Sequence, residues 1–315
     1  MENKYLIAMD SSDPSMAAAR YAAAILPKNR SKIVLFLVEC DIPESFWDFD
    51  PQPESPGHQP DLGAWIDRQN KRFINSLETA KAAFLDAGFP HHAVSIKIQR
   101  RKTGVTRDIV TESLDGYAGL FIGRTGFSNL SRLPIGSVAR KLISRIHHIP
   151  LILVGGTPET QHILLGFDDS HGARICVRLA ASLFAGSDKK LHIRHVIRAL
   201  DPLAGNFYPY PASSDLNTIF FSEQEKIRNT KIDAAMEKTM KILKEKGFSP
   251  QNADALLIEG YMSRSLGLLD TAEKEKWGTI FVGRRGISRV QDFFIGRVGE
   301  KLVEMARDQA IWIVA

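Results

Sequence analysis

Two copies of one pattern run through this chain, and no other feature of the sequence constrains its fold as strongly. Leu120-Phe121-Ile122-Gly123-Arg124-Thr125-Gly126 recurs as Ile280-Phe281-Val282-Gly283-Arg284-Arg285-Gly286, 160 residues later. At the same spacing Ile135-Gly136-Ser137-Val138 recurs as Ile295-Gly296-Arg297-Val298. Met9-Asp10-Ser11-Ser12 matches Phe167-Asp168-Asp169-Ser170, and Leu37-Val38 matches His195-Val196, both 158 residues apart. A near-constant offset over four separate segments marks a tandem duplication. The expected domains are 1–156 and 157–315, joined at the linker-like Gly155-Gly156-Thr157-Pro158. At 315 residues, each half is long enough to bury its own core.

Within a copy, short apolar runs alternate with helical patterns. In the first, Tyr5 to Met9 reads as a strand, and Asp13-Pro14 opens an Ala-rich helix through Met16–Leu26. Ile33–Val38 is a continuous apolar run, as in a strand buried on both faces. A Pro-rich insertion, Asp41 to Pro60, precedes a long amphipathic helix over Leu62–Ala87, closed by Gly88. Val94–Ile98 is a third strand, Val105–Leu114 a helix, Leu120–Ile122 a strand, Val138–Ile146 a helix and Leu151–Val154 a last strand. The second copy repeats this from Ile163, with its own insertion near Pro202–Ser214. Parallel strands need crossover helices, so the expected fold is α/β: two doubly wound, Rossmann-like domains of five parallel strands each.

Charge and cysteine content narrow the function classes. Lys and Arg outnumber Asp and Glu by 19 to 16 in residues 1–156 and by 22 to 20 in the remainder. A small excess shared between halves is a mixed solvated surface, not a nucleic-acid footprint. No apolar run approaches the length of a membrane span and no signal-peptide core is present, so a cytoplasmic location without membrane contact is expected. Cys40 and Cys176 are too few for a disulfide framework. His91-His92 and His147-His148 are chain neighbours that point apart, and His192 and His195 fall on opposite faces of a strand; none suggests a metal site.

The chemistry gathers around one loop. In open parallel sheets ligands sit outside the carboxyl ends of the strands, at the switch point. There the first copy places Gly123-Arg124-Thr125-Gly126, nine further residues, and then Gly136-Ser137 at a helix start. Glycines at 123 and 126 let main chain turn and approach an anion with no Cβ in the way. The free N–H groups at Gly136 and Ser137 favour phosphate. A Gly-rich turn followed by a serine N-cap would look the same in sequence. Arg124, Arg132, Arg284, Arg285 and Arg289 flank the two loops, either as solvated surface or close to phosphate.

This pattern, Gly-x2-Gly-x9-Gly-Ser after the fourth strand with an Asp ending the first, resembles the ATP-binding branch of the universal stress protein family. The resemblance covers nearly the whole chain, twice. It implies that Asp10 meets the ribose, that main chain near Val38 meets adenine, and that Gly123, Gly126, Gly136 and Ser137 wrap the phosphates. Ile122 and Val138 would line the pocket, and Ser137 would help hold Mg or Mn carried by ATP. The implied ligand is ATP, ADP or AMP. The family likeness further implies that the two domains pair inside one chain as a pseudo-dimer through their last strands, with room for a further homodimer. In the second copy Asp168, Val196, Gly283, Gly286 and Gly296 stand in place, but Arg297 replaces the Ser or Thr. A guanidinium has no hydroxyl to offer a metal, and it can fold away, fill the phosphate site or pair with phosphate. Mg-ATP is therefore expected mainly in the first copy, a metal-free mononucleotide remaining compatible with the second.

Three functions follow from this reading. The first is a non-catalytic, nucleotide-binding stress-response protein. The second is a slow ATPase or phosphotransferase using the same pocket, although Phe127 to Ile135 contains no Asp, Glu or His to act as a base. Asp292 lies in the second loop, beside the altered site. The third is an interaction module that binds no nucleotide.

Overall fold

The computed structural model of the chain describes residues 2–39, 62–126, 135–198, 215–284 and 296–314. Both insertions, Cys40, Arg132, Arg285, Gly286, Arg289, Asp292 and Ile295 lie outside the described residues. The chain divides into two compact units, Met1–Gly156 and Thr157–Ala315. The first runs β1 (Asn3–Met9), α1 (Asp13–Ile25), β2 (Ser31–Glu39), α2 (Leu62–Asp86), β3 (Val94–Arg100), α3 (Val105–Ser113), β4 (Gly119–Gly123), α4 (Ser137–Ile143) and β5 (Leu151–Val154). Its five strands lie in the order β3-β2-β1-β4-β5, every pair parallel. The second runs β6 (His162–Gly166), α5 (His171–Phe184), β7 (Lys190–Arg198), α6 (Asp215–Glu245), β8 (Ala253–Tyr261), α7 (Arg264–Lys274), β9 (Thr279–Gly283), α8 (Arg297–Met305) and β10 (Ala310–Val314). Its order is β8-β7-β6-β9-β10, again all parallel.

The strand sequences explain these positions. β4, β5 and β10 are apolar and buried almost end to end, because helices cover both faces of the strands they occupy. β3 alternates in sequence and grows more exposed along its length, with Ile98 already open to solvent, as the outermost strand of its unit allows. One aromatic anchors each core at the same place in the repeat. Phe121 meets Tyr5 edge-on at 6.0 Å, and Phe281 meets Phe184 edge-on at 6.2 Å and stacks on Trp312 at 4.5 Å. Full burial of such side chains stabilises each by about 1.5–3 kcal/mol.

Helix ends follow local chemistry. Ser12, rather than Asp13, caps α1: its Oγ accepts from the Ser15 N–H at 3.3 Å, which leaves Asp13 and Pro14 in the first turn. α2 stops where expected. Gly88 takes φ +95°, the Phe89 N–H donates to the Phe84 carbonyl at 3.0 Å, and the two rings meet edge-on at 5.2 Å. This is a Schellman ending with its apolar contact. Gly247 (φ +94°) and the Phe248 N–H to Leu243 carbonyl bond, also 3.0 Å, repeat it in the second unit. An L-residue in this conformation costs about 1–2 kcal/mol. Gly88→Ala should therefore lower the urea midpoint of unfolding by a corresponding amount without changing the slope. An unchanged midpoint would show that the turn relaxes freely.

The strand order reverses between β1 and β4 in the first unit and between β6 and β9 in the second. Both chains of connections diverge there, which opens a crevice at the carboxyl ends of those strands.

Candidate functional site

Each crevice begins with the same turn. Directly after β1, Ser11 adopts φ +59°, and directly after β6 Asp169 adopts φ +59°. Left-handed backbone at a non-glycine residue costs on the order of 1 kcal/mol and persists only where its surroundings hold it. Here the preceding carboxylate does so. Asp10 Oδ1 accepts the Ser12 N–H at 3.0 Å and also the Ser12 hydroxyl, and Asp168 Oδ1 accepts the Ser170 N–H at 3.1 Å. The turn consumes one oxygen of Asp10 and sends the other across the crevice: Asp10 Oδ2 lies 2.9 Å from the point a Cβ on Gly126 would occupy.

The glycines of the first loop divide into two kinds. None has positive φ, so close approach rather than a special dihedral is what requires them. A side chain at Gly123 would point into the packing. A Cβ there would sit 2.6 Å from the carbonyl carbon of Pro14, so its smallness seats the start of α1 against the end of β4. The missing side chain at Gly123 is thus required by packing. Gly126 and Gly136 do belong to the crevice. The Gly136 N–H donates to the Arg124 carbonyl at 2.9 Å, and a Cβ on Gly136 would lie 3.2 Å from the Thr125 Cα. The two ends of the loop are thus stapled together, and Ser137 stands exposed as the first residue of α4. α4 is only seven residues long, so its contribution to an anion comes from its local N–H groups more than from a summed dipole. Val38, at the end of β2, and Ile122, at the end of β4, are both buried, whereas Val138 is partly open to solvent.

For Arg124 and Arg284 the sequence left two readings open, and burial removes one. Neither is solvated surface: both are buried, and burial pulls the Arg284 guanidinium down to about 10. Their backbone N–H groups donate to the Val154 and Val314 carbonyls at 2.9 and 2.6 Å, which continues the β4–β5 and β9–β10 pairing by one residue.

The second unit holds a cleft of about 380 Å³ at the corresponding place. It brings together Asp168, Val196, Gly283, Gly296 and Arg297, as the repeat predicts; Gly286 lies outside the described residues. Gly283 lines the cleft and also serves packing, since a Cβ there would meet the Gly172 main chain at 2.4 Å. The apolar wall comes from Phe167, Val196, Leu268, Val282 and Met262. The cleft residues that sequence reasoning missed include Arg194, Ser263, Arg264 and Lys301. Ser263 caps α7, accepting the Leu266 N–H at 3.3 Å, and places Arg264 as its first residue. A Ser-Arg start after the third strand was the available signal, but nothing in its spacing ties it to Arg297.

Other histidines and cysteines have structural partners. His195 Nδ1 lies 2.7 Å from the Phe167 carbonyl oxygen, and His192 stacks on Trp277 at 3.9 Å while bonding Asp254. Cys176 is fully buried, which pushes its thiol well above the usual range. Among the described residues, no helix is long and apolar enough to cross a membrane.

Known proteins share this architecture. A universal stress protein from Archaeoglobus fulgidus aligns with 100% of this chain and 98% of its own at 16% identity and a TM-score of 0.65. A protein of unknown function from Pseudomonas aeruginosa PAO1 aligns with 99% of this chain and 92% of its own, at 13% identity and a TM-score of 0.53. A putative universal stress protein from Pseudomonas aeruginosa UCBPP-PA14 aligns with 99% and 93%, at 14% identity and 0.52. At these identities the likeness is one of fold. No curated protein matches the chain in sequence. The sequence model of the universal stress protein family, however, matches it twice, over residues 1–154 and 159–307. Two matches that together span most of the chain, one on each α/β unit, settle its kinship: this chain belongs to the universal stress protein family.

Proposed function

We propose that this chain is a non-catalytic adenine-nucleotide-binding protein of the stress response that holds ATP, ADP or AMP mainly in its first unit. The observation that carries the reading is the meeting of Asp10, Gly126 and Gly136-Ser137 at the switch point. A carboxylate with one oxygen fixed by Ser12 and the other turned toward a glycine suits the two hydroxyls of a ribose. The stapled loop presents main chain and the Ser137 hydroxyl, with no Cβ between, where phosphates would lie. Val38 and Ile122 offer the apolar strand ends that can flank a purine. Ser137 supplies a single protein oxygen, so Mg or Mn would be carried chiefly by the phosphates of ATP. The described part of the loop brings no acid or base toward them, so the reading is of binding that alters shape or partners rather than of turnover.

The test begins with freshly purified protein. Mass spectrometry of small molecules released on denaturation should find an adenine nucleotide. Calorimetric titration with Mg-ATP should then give about one site per chain, and Arg297→Ser should add a second by restoring a hydroxyl and removing a cation that repels a divalent ion. Two equal Mg-ATP sites in the unaltered chain would overturn the assignment to the first unit. No binding at all would overturn the function.

A further inference from the structure

We propose that the outer face of α3 and α4 in the first unit is a docking surface for the backbone of duplex DNA, bound without regard to base sequence. Nucleotide binding in the crevice is not needed for it. Totals over each half of the chain read as a mixed surface, but they conceal a division within the first unit. Residues 1–93 carry 9 Lys and Arg against 13 Asp and Glu, whereas residues 94–148 carry 10 against 3. The corresponding stretch of the second unit, 253–308, carries 9 against 9. One element order thus bears a basic face in one copy and a neutral one in the other, so the fold itself does not require the charge. At matched positions of the last helix, Arg140 and Ser144 stand where the second unit has Glu300 and Glu304. A basic excess gathered on one face is the electrostatic footprint of a polyanion.

The three acids of residues 94–148 are all spent inside the unit. Asp108 accepts the Lys102 and Thr103 N–H groups at 2.8 and 3.0 Å. Glu112 holds Lys97 and the Tyr117 hydroxyl at 2.6 Å each, and Asp115 pairs with Lys4 at 2.9 Å. Arg100, Lys102, Arg107, Arg140, Lys141 and Arg145 are exposed, and among the described residues none of these six has an ion-pair partner. Two ties fix the face. The Asp108 bonds fold the β3–α3 turn onto the first turn of α3, and His148 Nε2, 3.2 Å from the Ser113 hydroxyl, fastens the chain beyond α4 to the end of α3. Thr103, Thr111 and Ser144 are exposed as well. Cations and hydroxyls are the side chains that meet phosphate oxygens, and arginine does so in a two-point fork. α3 and α4 contain no aromatic residue, so unpaired bases would find no ring to stack on and a membrane no interfacial anchor. Leu114 and Val138 are the exposed large apolar side chains at these helices, a small area beside six charges. With every carboxylate spent, the face mostly donates, which matches a deoxy backbone better than one carrying 2′-hydroxyls.

The experiment titrates a short, fluorescently labelled DNA duplex with the full chain and follows anisotropy. With about four phosphates neutralised at once, affinity should fall roughly 100-fold between about 50 and 200 mM salt. Arg107→Glu and Arg140→Gln should each weaken binding about 10-fold or more and make the salt dependence shallower by about one counterion. Arg107 lies in the first turn of α3, where a carboxylate suits the helix dipole, so that variant keeps its fold, and melting curves check both. Lys274→Gln and Lys276→Gln, which remove as much charge from the second unit, should leave binding unchanged. Saturating AMP should leave the duplex bound. Displacement by AMP would place the DNA phosphates in the nucleotide crevice and overturn the inference, whereas failure of the chain to bind Mg-ATP would overturn only the reading of that crevice. No binding at about 50 mM salt, or an equal loss from the second-unit variants, would also overturn it. So would tighter binding of anionic lipid vesicles, polyglutamate or duplex RNA at the same concentration of charge.

Discussion

Replacing Gly136 with valine is expected to weaken Mg-ATP binding about 100-fold or more, the equivalent of two charge-assisted hydrogen bonds, while the chain stays folded. The cause is local. Even a single methyl at this position would stand 3.2 Å from the Thr125 Cα and 3.4 Å from the Gly126 nitrogen, closer than ordinary packing. The branches of valine would pry apart the two ends of the loop that the Gly136 N–H to Arg124 carbonyl bond holds at 2.9 Å. The N–H groups of Gly126 and Ser137 would then no longer converge. Alanine at 136 asks its neighbours to move only a few tenths of an ångström and should lose less. Backbone strain is not involved, because Gly136 has φ −66° and ψ 156°, which any residue adopts. The residue is half-buried at a crevice rim rather than in the core, so the melting temperature should scarcely move. Calorimetry paired with thermal melts separates the outcomes. Unchanged affinity in a folded variant would show that the phosphates lie elsewhere.

Gly283→Ala should do the opposite, disrupting the fold and with it any binding. Its Cβ would fall 2.4 Å from the carbonyl carbon of Gly172 and 2.7 Å from its Cα. Both contacts are main chain, so no side chain can swing aside. α5 would have to lift off the end of β9. Gly172 is equally constrained from its own side, with a Cβ meeting the Arg284 carbonyl oxygen at 2.9 Å. Overpacking of this kind costs about 1–3 kcal/mol where neighbours can shift, and backbone against backbone belongs at or above the upper end. Gly123→Ala, facing the Pro14 main chain at 2.6 Å, should behave alike in the first unit. Urea unfolding followed by circular dichroism reads both. A variant whose midpoint matched that of the unaltered chain would mean that the helix start moves at little cost, and the packing role assigned to these glycines would be wrong.

These two substitutions show where reading the chain as a string reaches its end. Gly123 and Gly136 stand in one motif and look alike in sequence, as glycines of a phosphate loop. One is there for α1 and the other for the loop. The distinction depends on Pro14, more than a hundred residues away, whose position no local spacing encodes. Arg124 and Arg284 teach the same lesson: a charged residue after a strand can read as surface or as a phosphate neighbour, and only the packing shows that both are buried.

What the sequence determined by itself was everything that repeats or has a period. The duplication, the five parallel strands of each unit, the buried apolar runs at β2, β4 and β5, and the glycine endings of α2 and α6 follow from short-range rules of backbone and burial. That Asp10, Gly126, Gly136 and Ser137 come to one edge could also be read in advance, because a parallel sheet delivers all its carboxyl ends there. Tertiary structure alone decided what fills the space there. Arg264 and Arg297 begin two different helices and share no motif, yet they line one cleft because α7 and α8 both start at that edge. Ser263 and Met262 joined them from the α7 side, where Gly267 packs on Val196, and Lys301 came with α8. Periodicity is written along the chain, whereas the charge of a cavity is a sum over residues that only the completed packing brings within reach of one another.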